Sequence, residues 1–292
     1  MKPIYKICFA LSILLTVAAL VTTVVVWRKT GGSFLSADFR GGSVLELRFE
    51  KGRPAEVITI PDATVLPSGD ADLIIRSRVL NDTQRQEIIA SLSSKYGEVT
   101  QLRFDEIGPT VGKELKTKSV KAVIILLAVI IIYISIVFRT MSRVLSPWAM
   151  GVAAVLALLH DVIIPVGVFS ILGYLGNVEI TAVFVAAALT ILGYSVSDTV
   201  VVFDRVRENV LRFGAKESFP DLVHRSILQT LTRSINTSMT TLLSLLAIFL
   251  FGGESIKYFA LALIIGIISG TYSSIFVASP IVMWWHQRRK RA

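Results

Sequence analysis

Apolar residues gather into six long runs, near 7–27, 120–138, 148–172, 178–203, 235–251 and 257–285. Each is long enough to cross about 30 Å of hydrocarbon as a helix. Between the first two runs the pattern changes: charges, Gly and Pro appear and the apolar spacing shortens. Residues 43–50 (SVLELRFE) alternate as a half-buried strand does, and 72–79 and 99–107 predict two more strands. Asn81 or Asp82 predicts the N-cap of a helix over 83–95, closed by Gly97. Residues 52–69, rich in Pro, Gly and Asp, predict a short strand and a loop. The pattern therefore predicts a polytopic α-helical membrane protein with six transmembrane helices and a small α+β domain between helices one and two. Its divisions are an N-terminus and first helix over 1–29, the α+β domain over 30–118, helices two to six over 119–285, and a basic tail over 286–292.

Composition agrees. Of 292 residues 53% are hydrophobic and 17% charged, too little charge to cover a soluble surface of this size. The formal charge of +9 invites a nucleic-acid reading until its distribution is considered. Lys2, Lys6, Arg139, Arg143, Arg205, Arg207, Arg212, Lys216, Arg225, Arg233 and residues 288–291 all fall on one side if the helices alternate. The short loops 173–177 and 252–256 carry no Lys or Arg. This is the positive-inside pattern: it predicts cytoplasmic termini, an extracytoplasmic (periplasmic) 30–118 domain and no nucleic-acid partner. Arg28, Lys29 and the lysines of 113–121 run against the trend, which long translocated domains largely escape. The first run ends in Trp27-Arg28-Lys29, an interfacial anchor, and predicts an uncleaved helix rather than a signal peptide. Apolar positions among the charges of 204–232 predict helices lying along the cytoplasmic interface. Gly266 and Gly270, with Ser269, Ser273 and Ser274, give the sixth run a small-residue face for close helix contact. The lone Cys8 excludes an internal disulfide.

Candidate chemistry centres on Asp198, a carboxylate inside an apolar run. On insertion scales an ionised Asp costs about 2.5–3.5 kcal/mol near a bilayer centre, so such a residue is paired, hydrated or functional. At helical spacing it shares a face with Thr190, Tyr194, Ser197 and Arg205. In the fifth run Arg233, Asn236 or Thr237, Thr240 or Thr241, and Ser244 make a polar stripe entering from the same side, so Arg233 is the expected partner of Asp198. A carboxylate alternating between an Arg and a proton is raw material for a proton relay; a static ion pair is the other reading. His160-Asp161 lies mid-run in the third span, as part of a proton or water path or as a packed polar pair, and Pro165 frees the Asp161 carbonyl. There is no Gly-x-Ser-x-Gly elbow, no P-loop and no metal-like grouping of His160, His224 and His286. Composition thus points to no cofactor and no classical enzyme, although Asp161 and Asp198 admit an intramembrane aspartyl protease.

Several motifs resemble those of one family, the SecF subunit of the bacterial protein-translocation accessory complex. They are residues 38–42 (DFRGG), 108–115 (GPTVGKEL), 160–172 (HDVIIPVGVFSIL), 192–209 (LGYSVSDTVVVFDRVREN) and 232–254 (TRSINTSMTTLLSLLAIFLFGGE), in the expected order. Ser197 stands where the family more often has Asn. The resemblance implies half of a resistance-nodulation-division-like transporter, paired with SecD and associated with the SecYEG channel. It implies use of the proton-motive force, with the proton as coupling ion, to draw exported preproteins across the inner membrane. It also implies a proton-relay pair in Asp198 and Arg233, while Asp38, Gly41, Gly42, Gly108, Pro109 and Gly112 mark a joint or an ordinary turn beside the second helix. Half of a small-molecule or lipid exporter and a passive membrane scaffold are the alternative functions.

Overall fold

The structure of the protein, a computed structural model, describes residues 2–289 except Ser33, Ala55, Val57, Asp62, Gly69, Asp70, Arg78, Asn177 and Ala215. Six helices among them are long and apolar enough to cross a membrane. The chain divides into two compact units: 1–29, 122–171 and 183–292 form a helical unit, and 30–121 with 172–182 form a smaller α+β unit.

In the smaller unit a short helix, α2 (Ala37–Arg40), leads into strand β1 (Gly42–Phe49), followed by β2 (Ala63–Ser68), β3 (Asp72–Ser77), helix α3 (Asp82–Tyr96) and β4 (Val99–Ile107). The sheet is antiparallel with order β2-β3-β1-β4. Alternation in β1 sends Leu45, Leu47 and Phe49 into a core shared with Leu73, Ile75 and Leu92. Asn81 is the N-cap of α3 and makes a reciprocal capping box with Gln84. Of the 52–69 stretch, residues 63–68 are the edge strand β2.

The helical unit holds most of the spans: α1 (Pro3–Thr30), α4 (Pro109–Val137, whose first turns belong to the smaller unit), α5 (Pro147–Gly176), α6 (Ala182–Phe213) and α7 (Phe219–Phe251). The last span runs as α8 (Glu254–Ser273), a π-helical turn (Ser274–Ala278) and α9 (Ser279–Arg289). A 3₁₀ turn at Arg139–Arg143 follows α4. α5 and the last span bury the largest shares of their apolar windows, whereas α1, α4 and α7 leave most of theirs outward, as hydrocarbon-facing helices do. Glycines permit close approach in the core: a Cβ on Gly167 would stand 2.6 Å from the Ala19 Cβ.

Among the described residues the 204–232 stretch forms no helices separate from the spans. It consists of the end of α6 and the start of α7, joined by a short turn. Phe219, Leu222, Val223 and Ile227 are buried in the main core, leaving only a few apolar side chains such as Leu211 and Leu228 outside. The polar sides meet each other: Asn209 Nδ2 donates to Ser226 Oγ (2.8 Å) and Gln229 Oε1 (2.9 Å), and Arg205 Nε to the same Gln229 oxygen (2.7 Å). An amphipathic period reads alike whether its apolar side meets lipid or another helix. At this basic end the Tyr5 hydroxyl meets His224 Nδ1 at 2.7 Å, and the His286 ring stacks on Phe219 at 4.2 Å.

Leu47 is fully buried beneath the sheet. Leu47→Ala is expected to destabilise the smaller unit by about 2–5 kcal/mol, read as faster amide exchange across β1 and β3 in the full chain, while Thr100→Ala on the exposed side of β4 changes little.

Candidate functional site

Asp161 and Asp198 lie within apolar spans of the helical unit, and serine hydroxyls donate to both. Asp198 on α6 is half-buried. The Ser234 hydroxyl of α7 donates to its Oδ1, and the Ser274 hydroxyl, at the first residue of the π-turn, donates to its Oδ2 (2.6 Å). Asp198 thus joins three helices, and each of its oxygens has one neutral donor.

Asp161 on α5 is wholly buried. Ser195 of α6 and Ser273 of α8 donate to its Oδ2 at 2.5 and 2.7 Å. Ser269 of α8 donates to its Oδ1 at 3.2 Å, and His160 Nδ1 lies 3.0 Å from that oxygen. The close approach that brings Ser195 there depends on Gly270, where a Cβ would fall 2.9 Å from the Ser195 Cβ. One turn earlier Gly266 packs on Ile191 in the same way. The small-residue face of the last span is therefore also the donor face for both carboxylates.

In the structure Asp198 meets Ser234 and Ser274 rather than the expected Arg233. Arg233 is exposed, and no ion pair joins it to Asp198 among the described residues. The buried stripe of α7 runs Ser226, Thr230, Ser234, Ser238, one residue out of phase with the predicted one; Asn236, Thr237 and Thr240 are exposed with Arg233. One residue along a helix is about 100° around it, enough to turn the stripe away. On α6 the same slip applies: Ser197 and Thr190 are exposed, whereas Ser195 and Thr199 are buried. Tyr194 is half-buried, its hydroxyl 3.4 Å from Thr241 Oγ1. Ser195, Ser234, Ser273 and Ser274 are hydrogen-bond donors to the two carboxylates that residue patterns identify at most as packing residues; their signal is the recurrence of small polar residues at helical spacing. Among the described residues no group of three or more His, Cys, Asp or Glu is placed to hold a metal ion.

The two glycine-bearing motifs meet within the smaller unit. Gly41 has φ +77°, and a Cβ on it would stand 2.8 Å from the Pro109 Cα. A Cβ on Gly112 would stand 2.9 Å from the Gly41 nitrogen, so backbone lies directly on backbone. Gly42 passes as closely to the Ser77 carbonyl, and Gly112 N–H donates to the Gly108 carbonyl at 3.1 Å. Asp38 Oδ2 accepts the Ala182 N–H (2.8 Å), capping the first turn of α6 from a distant part of the chain. Beside it Glu179 lies 3.3 Å from Arg76 Nη1 and 3.8 Å from Arg40 Nη2. Burial raises the Glu179 carboxyl above its ordinary range; the two arginines oppose that shift and Asp38 adds to it.

Gly270→Ala is expected to push Ser195 off Asp161 and cost about 1–3 kcal/mol, seen as a lower Tm in bilayer discs; Gly193→Ala, whose Cβ would meet open space, should leave Tm unchanged. For Glu179 the folded chain holds the proton more tightly than the unfolded one does. Its contribution to stability is therefore present below the ordinary carboxylate range and is withdrawn as pH rises toward the raised value. Amide exchange of the sheet against pH should show that decline, and Glu179→Gln should abolish it.

Comparison with known proteins gives the context of this geometry. The family model for the C-terminal part of protein export membrane protein SecD/SecF matches residues 87–288. The chain is 41% identical over 277 residues to protein translocase subunit SecF of Thermobaculum terrenum, covering 88% of this chain and 86% of that one. With the SecF subunit of Anaerolinea thermophila the identity is 40% over 288 residues, covering 95% and 91%. The crystal structure of SecDF, a translocon-associated membrane protein from Thermus thermophilus, superposes with a TM-score of 0.83 at 35% identity, over 98% of this chain and 39% of that one. Related in sequence over most of its length and in fold over nearly all of it, the chain belongs to the SecD/SecF family of protein export membrane proteins.

Proposed function

We propose that this translocase subunit works with a SecD partner to couple the proton-motive force to SecYEG-mediated export of preproteins across the inner membrane. The observation that carries this reading is Asp198: a carboxylate in a membrane helix, held by two neutral hydroxyls from two other helices. With no cation in the pair, protonation leaves no partner charge stranded, which makes the group suited to alternate between its two states. Ionised, it accepts from Ser234 and Ser274; protonated, it must donate one of those bonds, and the helices bearing the serines adjust. Arg233 neighbours Ser234 on α7, so a turn of that helix by about 100° exchanges serine for arginine opposite the carboxylate. Asp198 and Arg233 are then alternating partners in a relay. Proton movement is the only chemistry required, so the chain acts as a transport subunit without a cofactor.

The SecD partner is supported by the SecDF relative of Thermus thermophilus, of which this chain matches only 35%. Charge distribution supports cytoplasmic termini and a periplasmic α+β unit. The contact of residues 38–42 with 108–112 fits a stiff joint that passes helix movement into that unit.

Cells carrying Asp198→Asn as their only copy should assemble the protein with SecD normally yet lose most export of a secreted reporter, with Asp198→Glu restoring part of it. Arg233→Ala should show the same separation of assembly from export. Undiminished export in Asp198→Asn at normal protein level would refute the relay.

A further inference from the structure

The buried pair on α5 is not a member of that relay, and hydrogen-bond partners surround both oxygens of its carboxylate. Asp161 has four neighbours on its two oxygens: Ser195 and Ser273 on one, Ser269 and His160 on the other. All four can donate, and a donor set of that size fits the ionised carboxylate. An ionised Asp beside a neutral His leaves one uncompensated charge in a fully buried position, at a cost in free energy. Protonating His160 removes it. The imidazole side chain is itself about nine-tenths buried, at 6% exposure. Its Nδ1 is engaged with Asp161 and lies 3.3 Å from Ser269 Oγ, while its Nε2 is buried with no hydrogen-bond partner among the described residues. Nε2 is thus the atom at which an exchangeable proton can be held.

We propose that His160 and Asp161 form a second proton-binding site, coupled to Asp198 through Ser273 and Ser274 at the start of the π-turn. On uptake an N–H bond forms at Nε2, turning neutral imidazole beside carboxylate into imidazolium beside carboxylate; on release the same bond breaks. The site deepens the proton-coupled function proposed above and rests on that reading for its purpose.

Coupling follows from placement. Ser273 donates to Asp161, and the next residue, Ser274, donates to Asp198. On α6, Ser195 reaches Asp161 three residues before Asp198. Protonated Asp198 no longer needs Ser274 as a donor, and Ser274 directly follows Ser273 in the chain, so a backbone shift at one is felt by the other. The π-turn starting at Ser274 supplies the local slack, and Ser279 Oγ donates to the Ser274 carbonyl (2.9 Å) within it. The other titratable groups near the pair are Tyr272, whose ring stacks beside His160 at 6.4 Å, and Cys8 of α1, whose carbonyl accepts from the Tyr272 hydroxyl; Tyr194 of α6 turns to Thr241 of α7, and Arg233 of α7 is exposed. Among the described residues no Lys or Arg forms an ion pair with Asp161.

The test is nitrogen NMR of ¹⁵N-histidine-labelled full chain in bilayer discs, titrated with pH in a His224→Gln, His286→Gln background that leaves His160 alone. His160 should pass from imidazolium to neutral imidazole within the accessible range. Asp198→Asn should move the midpoint by about one pH unit to lower pH, because a negative neighbour is gone. A ring that stays neutral throughout, or charged throughout, overturns the site, and a midpoint indifferent to Asp198→Asn overturns the coupling. If the double substitution abolishes the thermal transition, the same titration is made on the unmodified chain, with His160 assigned by the resonance missing in His160→Gln. Proton uptake is measured without export, so a failure here and a failure of the export relay are separate results.

Discussion

Hydrocarbon offers no hydrogen bonds, so every polar group carried into it must find its partner within the protein. The helical unit is arranged around that constraint. Asp161 and Asp198 are answered by five serines from three helices, and the last span contributes three of the five. Serine suits this role because it donates a bond while occupying little space. The same positions let α8 lie against α6 with glycine at the closest points. Packing and solvation of the carboxylates are one arrangement, and neither can be altered alone.

The smaller unit solves a different problem. A four-stranded sheet with one helix has a modest core, and beside it backbone lies directly on backbone at three glycines. Gly41, Gly42 and Gly112 allow main chain to meet main chain, while Asp38 satisfies the first turn of a helix that begins more than a hundred residues later. Glu179 and its two arginines brace the same loop from the other side.

Much of this was legible in the residues. The six spans, the alternation of β1 and the Asn81 cap follow from periods and cap chemistry that depend only on local sequence. What resisted was rotation about the helix axis. The residues single out Asp198 and point to Arg233 as its partner, whereas the donors that meet it are Ser234 and Ser274, whose small hydroxyls stand out less in a sequence than a charge does. The stripe at Ser226, Thr230, Ser234 and Ser238 obeys helical period as well as the expected one, and only the neighbouring helices decide which faces inward. Likewise the amphipathic 204–232 stretch offered no sign of whether its apolar side would meet lipid or protein. The glycine motifs were visible as motifs, but their mutual contact joins positions about seventy residues apart.

The π-turn in the last span has a geometric consequence. A π-turn holds one residue more than an α-helical turn of the same rise, so it resets the angular phase of everything downstream. Before it, the small residues of α8 are aimed at the carboxylates; after it, His286 is aimed at Phe219 and at the Val144 carbonyl. Without the inserted residue one of those two alignments would be about a third of a turn away. One continuous span can therefore serve two unrelated azimuths, as a bent key serves two wards of a lock.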